Sequence, residues 1–166
     1  MSLAPSSPRV AVVVPVFNRA HCILATLDSI LAQTLRPAQL IVVDNASTDY
    51  SKAVVATWMQ QQKPHCELLL LSEDTPGAAA ARNRGLQAVT TEWVSFFDSD
   101  DWMSPDFLEK MMRSALAQQR EWVIARTRMV FPSSTPAVPE RQVVRWGTPA
   151  PTFVDQILGA CIATQS

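Results

Sequence analysis

Short apolar runs alternate with segments of helical periodicity along most of this 166-residue chain, and that alternation constrains the fold more than any other feature. The first run, Val10 to Val14, is unbroken and rich in β-branched valine, and Pro15 closes it. Such a run is typical of a strand buried on both faces of a sheet. The later runs that predict strands are Leu40 to Val43, Leu68 to Leu71 and Trp93 to Phe97.

Each of these runs is followed by a segment with apolar side chains at helical spacing. The four apolar stripes are Ile23, Leu24, Leu27, Ile30 and Leu31; Val54, Val55, Trp58 and Met59; Ala78 to Ala81 with Leu86 and Val89; and Phe107, Leu108, Met111, Met112, Ala115 and Leu116. Gly77 stands at the predicted start of the third helix, and Ser104 and Pro105 are predicted as N-cap and first residue of the fourth. The alternation predicts an α/β fold, a parallel sheet with helices on both faces.

Ligands of such sheets bind beyond the carboxyl ends of the strands. The segments at those ends are PVFN, DNASTD and DSDD, and all three are polar or acidic. After Trp122 to Ala125 the pattern decays, and we expect irregular structure over residues 127–151. The prolines that interrupt regular structure there are Pro132, Pro136, Pro139, Pro149 and Pro151.

Composition limits the class of protein. We expect one domain over residues 9–166 after a loose terminus at 1–8, because a chain of this length can bury a core. The net charge of −1, with 48% hydrophobic and 17% charged residues, argues against a disordered chain and a nucleic-acid-binding domain. No apolar run approaches the roughly 20 residues that span a bilayer. Three scattered cysteines, Cys22, Cys66 and Cys161, suit a reducing cytoplasm.

The segment FFDSDD places three carboxylates in four positions directly after a predicted strand. Side chains two apart on an extended segment point the same way, so Asp98 and Asp100 can address one point. Two carboxylates about 5 Å apart repel by about 3 kcal/mol at an effective dielectric constant near 20. A divalent cation such as Mg²⁺ or Mn²⁺ would offset that repulsion, with a substrate phosphate completing its coordination.

Three other interpretations of this segment are open. It could be a solvated loop in which Asp101 or Ser104 caps the next helix. It could be a calcium loop of the EF-hand type, although Trp102 and Met103 occupy places that need an oxygen ligand and a glycine. The acidic residues at positions one, three, nine and twelve of such a loop would be Asp98, Asp100, Asp106 and Glu109. It could also be the DxD of phosphatases that phosphorylate an aspartate, but that motif follows a first strand.

Four motifs in order, VVVPVFNRA, IVVDNASTD, GAAAARNRGL and FFDSDD, resemble those of family 2 glycosyltransferases of the GT-A fold. The match is strongest over residues 10–101 and continues more weakly into DWMSPDFLEKM. The resemblance implies a Rossmann-like, mostly parallel sheet. It also implies that the chain ends before the acceptor-binding part of such enzymes.

The resemblance assigns site residues. Those implied to bind a nucleotide-sugar are Pro15, Val16, Phe17, Asn18, Asp44, Asn45, Ser47, Gly77, Arg82, Asn83, Asp98 and Ser99. Asp98 and Asp100 match the metal-binding DxD, with Mn²⁺ or Mg²⁺ as cofactor, and Asp44 matches the aspartate that binds a base N–H. Core packing is the alternative for Phe17. For Arg82 the alternative is an aliphatic stem lying on apolar surface with its head in water.

The implied activity is inverting transfer of a sugar from a UDP-, dTDP- or GDP-sugar to a hydroxyl of a carbohydrate or lipid-linked acceptor, as in polysaccharide biosynthesis. In the family the catalytic base lies later in the chain, so we expect it beyond residue 166 and expect this chain alone to be inactive. Glu140 and Asp155 match no motif. The alternatives are a non-catalytic nucleotide-sugar-binding module and a scaffold subunit. We expect the protein to be located in the cytoplasm, either free or at the cytoplasmic face of the membrane.

Overall fold

A computed structural model of the chain describes residues 8–124 and 160–163, and within those ranges six strands form one sheet. The strands are β1 (Val10–Val16), β2 (Gln39–Asp44), β3 (Glu67–Ser72), β4 (Trp93–Phe96), β5 (Trp122–Ile124) and β6 (Ala160–Ala163). The helices are α1 (Ile23–Leu31), α2 (Ser51–Gln61), α3 (Ala78–Leu86) and α4 (Phe107–Ala117). The four strands and four helices predicted from the sequence pattern are all present.

The strand order is β3-β2-β1-β4-β6-β5. Strand β1 pairs in parallel with both β2 and β4, and β2 pairs in parallel with β3. Strand β6 is antiparallel to β4 and to β5. The sheet is therefore mostly parallel, as predicted. Because the chain extends from β1 to β2 in one direction and returns to place β4 on the other side, the loops after β1 and β4 flank a topological switch point.

Helices cover both faces of the central strands. Val12 and Val14 of β1 belong to a core cluster that includes apolar residues of α1, α2 and α4. Ala11 and Val13 belong to a second cluster that includes Ala81 of α3. Both faces of β1 are thus buried, which explains why its sequence is continuously apolar rather than alternating. None of the described helices is long and apolar enough to span a membrane.

Strand β1 continues through Pro15, where the sequence predicted its end. The carbonyl oxygen of Val13 accepts a hydrogen bond from the N–H of Phe97 at 3.0 Å. Alternate residues of a strand direct their backbone groups to the same side, so the nitrogen of Pro15 lies on the β4 side. Strand β4 ends at Phe96, opposite Val13. Proline therefore removes no hydrogen bond from the sheet at this position.

The predicted start of α4 at Ser104 and Pro105 is wrong, because the helix begins at Phe107 with Asp106 as its N-cap. Long-range hydrogen bonds hold the preceding turn. Ser104 O accepts from Gln33 Nε2 at 2.6 Å, and Pro105 O accepts from Thr34 N at 2.8 Å. Ser104 O also accepts from Phe107 N at 2.9 Å, so residues 104–107 form a turn that precedes the helix.

The sequence pattern missed one strand, and two expectations concern residues that the structure does not describe. Strand β6 was not predicted, because its place depends on pairing with β4, which lies far away in sequence. The irregular structure expected over residues 127–151 lies outside the described residues, and so does the loose terminus expected at 1–8, except for residue 8.

Gly85 lets α3 approach the sheet. A Cβ atom at this position would overlap Cγ1 of Val13 and lie 3.2 Å from Cγ2 of Val43. Both valines belong to the core face that α3 covers. Packing therefore requires a glycine at position 85, because any larger residue would push α3 away from β1 and β2.

We expect Gly85→Ala to lower the free energy of unfolding by about 1–3 kcal/mol, because overpacking outweighs the better helix propensity of alanine. Chemical denaturation would measure the loss. The double variant Val13→Ala/Gly85→Ala is the control, since the shortened side chain makes room for the new methyl group. A loss in the double variant equal to the sum of the two single losses would contradict the overlap.

Candidate functional site

Asn18 joins the loop after β1 to the loop after β2. Its backbone N–H donates to Ser47 Oγ at 3.1 Å. Its Oδ1 accepts from the N–H groups of Thr48 at 2.8 Å and Asp49 at 3.3 Å. The residue has a left-handed backbone, with φ of 53°, which asparagine tolerates better than most residues. Asn18 and Ser47, both predicted as site residues, thus lie in contact.

Asp49 and Ser51 add a second connection between the same loops. Asp49 Oδ2 accepts from Ala20 N at 3.1 Å, and its Oδ1 accepts from Ser51 N at 2.8 Å. Ser51 Oγ accepts from the N–H of Arg19 at 2.7 Å. The hydrogen bond from the Ser51 side chain is the main reason why the pKa of Asp49 lies below its ordinary value. Asp49 thus binds the first N–H group of α2, although the N-cap residue of that helix is Tyr50.

Asp44 is the last residue of β2 and has a buried oxygen without a donor. The residue is 5% exposed, and Oδ1 has no hydrogen-bond partner among the described residues. Buried polar atoms in folded proteins nearly always have a partner, and an unpartnered one needs an explanation. A ligand that brings an N–H group to this position would supply the missing donor.

Asn45 holds the segment that leads into α3. Its Nδ2 donates to the carbonyl oxygens of Glu73 at 2.9 Å and Thr75 at 2.6 Å. Its Oδ1 accepts from the N–H of Gly77 at 2.8 Å. Gly77 has a backbone φ of 121°, a conformation that residues other than glycine rarely adopt. The amide of Asn45 therefore shapes the 73–77 segment.

The predicted residues of β1 and α3 differ in exposure. Phe17 is 54% exposed, so the core-packing alternative is wrong and its ring is free to stack on a ligand. Pro15 and Val16 are buried in the sheet. Asn83 is exposed on α3, and its side chain has no hydrogen-bond partner in the described ranges.

Arg82 and Asp98 form a largely buried ion pair. Arg82 Nη2 lies 2.9 Å from Asp98 Oδ1, with the two side chains 11% and 25% exposed. The alternative in which the head of Arg82 stays in water is therefore wrong. Its Nε is buried and has no acceptor among the described residues. Helix α3 thus brings a cation and a spare donor to the carboxyl end of β4.

Asp100 pairs with Arg19, a residue that sequence reasoning did not assign to the site. Arg19 Nε lies 3.3 Å from Asp100 Oδ2, and the two side chains are 38% and 51% exposed. The available signal was the cation in PVFNRA, directly after a strand end predicted to face the ligand. Burial, together with the charges of Asp98 and Asp100, raises the pKa of Asp101 above its ordinary value.

The backbone of the acidic segment is bound to α1. Thr26 Oγ1 lies 3.0 Å from Ser99 O and 2.8 Å from Asp101 O. Ser99 is 7% exposed. The segment is therefore anchored through its backbone, while Asp100 and Asp101 are exposed to solvent. The suggestion that Asp101 or Ser104 caps α4 is wrong, because Asp106 is the N-cap.

A divalent cation at this edge of the sheet would need ligand atoms from a bound substrate in addition to the described side chains. No group of three or more His, Cys, Asp or Glu side chains in the described ranges could hold a metal ion. The EF-hand interpretation is wrong, because Asp106 pairs with Lys110 and Glu109 pairs with Arg113 instead. Two carboxylates, Asp98 and Asp100, suit Mg²⁺ or Mn²⁺, which keep several waters or phosphate oxygens as ligands.

Two cavities in the described part of the chain lie away from these residues. One of about 170 Å³ is lined by residues of the 62–66 segment before β3, and one of about 410 Å³ lies between α1 and α2. None of the predicted site residues lines either cavity. The candidate site is therefore marked by its ion pairs and by the unpartnered Oδ1 of Asp44, and not by a cavity.

Comparison with known proteins identifies solved structures with the same fold. The chain matches TarS of Staphylococcus aureus in complex with UDP, with a TM-score of 0.65, 24% identity and coverage of 78% of this chain and 38% of that one. It matches the mannosyltransferase PcManGT of Pyrobaculum calidifontis in complex with GDP-Man and Mn²⁺, with a TM-score of 0.67, 32% identity and coverage of 75% and 37%. The fold is that of GT-A glycosyltransferases.

A sequence relative and a family model agree with the structural match. Glycosyltransferase GlyA of Streptococcus pneumoniae is 31% identical over 113 residues, which are 68% of this chain and 16% of that protein. The chain thus spans less than two fifths of each of these three proteins. The sequence model described as "Glycosyl transferase family 2" matches residues 11–161. The chain therefore belongs to glycosyl transferase family 2.

Proposed function

We propose that this chain binds a nucleotide-diphosphate sugar at the carboxyl ends of β1, β2 and β4, as the donor-binding part of an inverting glycosyltransferase. The observation that carries the proposal is the buried, unpartnered Oδ1 of Asp44. An unsatisfied buried acceptor costs about 1–3 kcal/mol, which a ring N–H of a bound base would recover. The exposed ring of Phe17 lies in the adjoining loop and can stack on that base.

The bound states of related structures support a nucleotide donor and a metal. PcManGT, which is 32% identical to this chain, has been solved with GDP-Man and Mn²⁺. TarS has been solved with UDP, although its lower identity to this chain shows the fold alone. We propose a UDP-, dTDP- or GDP-sugar as donor, and a carbohydrate or lipid-linked hydroxyl as acceptor. A cytoplasmic location, which includes the membrane face, belongs to the same proposal.

Each charged residue has a proposed role in donor binding. Asp98 and Asp100 hold the divalent cation, Mn²⁺ or Mg²⁺, and Arg82 orients Asp98 through their ion pair. The bound cation would neutralise charge on the leaving diphosphate as a Lewis acid. Ser47, Ser99 and Gly77 contribute by keeping the loops in place, and Asn83 is a proposed contact on the exposed side of α3. Pro15 and Val16 act through the backbone of β1.

Catalysis needs a base that removes the proton of the acceptor hydroxyl, and we assign that role to no described residue. We expect the 166-residue chain to bind donor without turnover. Full transferase turnover by this chain alone would contradict that expectation. Two other functions fit the same fold. A binding module would bind nucleotide without turnover in any longer form, and a scaffold subunit would bind no nucleotide.

Asp44→Asn tests the base contact. We expect the affinity for the preferred nucleotide among UDP, GDP and dTDP to fall at least about tenfold, because a neutral amide oxygen accepts more weakly than a carboxylate and the amide can turn its NH₂ group toward the base. Titration calorimetry would measure it. The unfolding free energy should not fall, since the buried oxygen has no partner to lose. The control is Glu92→Gln, which removes an exposed carboxylate just before β4. Unchanged nucleotide affinity in Asp44→Asn would contradict the assignment.

Asp100→Asn tests the metal contact. We expect the gain in nucleotide affinity on adding Mn²⁺ to disappear, while metal-free affinity stays within about twofold of wild type, because the amide is a poor ligand for a hard cation. Calorimetry with and without Mn²⁺ gives both values. Glu92→Gln should keep the full metal effect. A metal effect of wild-type size in Asp100→Asn would place the cation elsewhere.

Asn45→Asp tests whether this residue acts through the 73–77 segment. Its carboxylate would face the carbonyl oxygens of Glu73 and Thr75 without a proton to donate, so we expect the unfolding free energy to fall by about 1–3 kcal/mol. Nucleotide affinity should fall with it. Asn83→Asp is the stability control, because it makes the same change on an exposed side chain. Equal stability of the two variants would count against the role.

A further inference from the structure

The guanidinium of Arg19 forms an ion pair with the carboxylate of Asp100, and its contacts are long. Its Nε lies 3.3 Å from Asp100 Oδ2. Its Nη1 lies 3.4 Å from the carbonyl oxygen of Phe17 and 3.3 Å from that of Asn18. Charge-assisted bonds of the strong kind are shorter, near 2.7–2.9 Å. These contacts, together with the partial exposure of both side chains, describe an ion pair that can be exchanged for another.

The backbone of Arg19, by contrast, is firmly held. Its N–H donates to Ser51 Oγ at 2.7 Å. Its carbonyl oxygen accepts from the N–H groups of Cys22 and Ile23, both at 3.0 Å. The loop therefore keeps the side chain within reach of Asp100 whether or not the ion pair is formed. Release of the guanidinium requires only a change of side-chain rotamer.

The neighbouring ion pair shows the opposite character. Arg82 and Asp98 lie 2.9 Å apart, and both side chains are mostly buried. Such a pair is costly to break, because either group would be left buried without its counter-charge. The two carboxylates of the DxD therefore have different counterions: Asp98 has a fixed one, and Asp100 has one that solvent can reach.

We propose that Arg19 is a displaceable counterion that neutralises Asp100 in the metal-free protein and competes with the divalent cation for that carboxylate. The inference rests on the proposed function, because it takes Asp100 as a metal ligand. A cation of charge +2 outcompetes the guanidinium when diphosphate oxygens complete its coordination. Without nucleotide, Arg19 lowers the affinity of the site for metal, so the site favours metal that arrives together with the donor.

The test is a titration of the full chain with Mn²⁺ alone, followed by the paramagnetic resonance signal of the free ion. Arg19→Gln and Arg19→Met both remove the charge, and Met keeps much of the aliphatic stem. We expect each to bind Mn²⁺ about threefold more tightly than wild type, the size of effect typical of an exposed ion pair. Arg19→Lys keeps a charge and should stay near the wild-type affinity.

Arg113→Gln is the matched control, because it removes one arginine charge from an exposed ion pair on α4. Its Mn²⁺ affinity should equal that of wild type. If Arg19 only supported the loop, its removal would lower the melting temperature and weaken metal binding, which is the opposite sign. Affinities of both charge-free variants at or below wild type would overturn the inference.

The same titration separates failure of the inference from failure of the proposed function. Equal Mn²⁺ affinity in wild type and both charge-free Arg19 variants, with binding lost in Asp100→Asn, would overturn the role of Arg19 and leave the metal site intact. Absence of Mn²⁺ binding in wild type and in every variant, both without nucleotide and with UDP or GDP present, would overturn both.

Discussion

The hydrogen bonds of Asn18 to the loop after β2 are the interaction on which the candidate site depends. They connect two loops that leave neighbouring parallel strands, and Asp49 and Ser51 reinforce the connection. Through them Phe17 and Arg19 are held beside the loop after β2, and Asp44 is held by the pairing of β2 with β1, where it lies opposite Val16. A parallel sheet brings polar loops to one edge, but it does not set their relative positions. In this protein short side chains of the loops themselves do so.

The acidic segment is compatible with a stable fold because its charge is already offset within the chain. Asp98 is paired with Arg82, and Asp100 is paired with Arg19. The third carboxylate, Asp101, has a raised pKa because it is partly buried beside the other two. Two of the three carboxylates are therefore paired without a cation at this point. A bound metal would replace Arg19 as the counterion of Asp100. Such an exchange suits a site that binds its ligand reversibly.

Features set by local sequence were predictable, and features set by distant contacts were not. The valine run of β1 and the apolar stripes of the helices indicated the parallel sheet, because buried strands and helices carry their periodicity in the sequence. Strand β6 depends on pairing with β4, and the start of α4 depends on Gln33 and Thr34. The site residues came from resemblance of motifs, yet Arg19 was missed, because only the folded loops show that it reaches Asp100.

We expect a nucleotide and a divalent cation to bind between Asp44 and Asp100 at the carboxyl ends of the strands. The most direct measurement is anomalous diffraction from crystals of the chain grown with Mn²⁺ and UDP, repeated with GDP. The account predicts one manganese peak at about 2.2 Å from a carboxylate oxygen of Asp100, and a base N–H within hydrogen-bond distance of Asp44 Oδ1. Manganese bound elsewhere, or a bound nucleotide that leaves Asp44 without a donor, would contradict it.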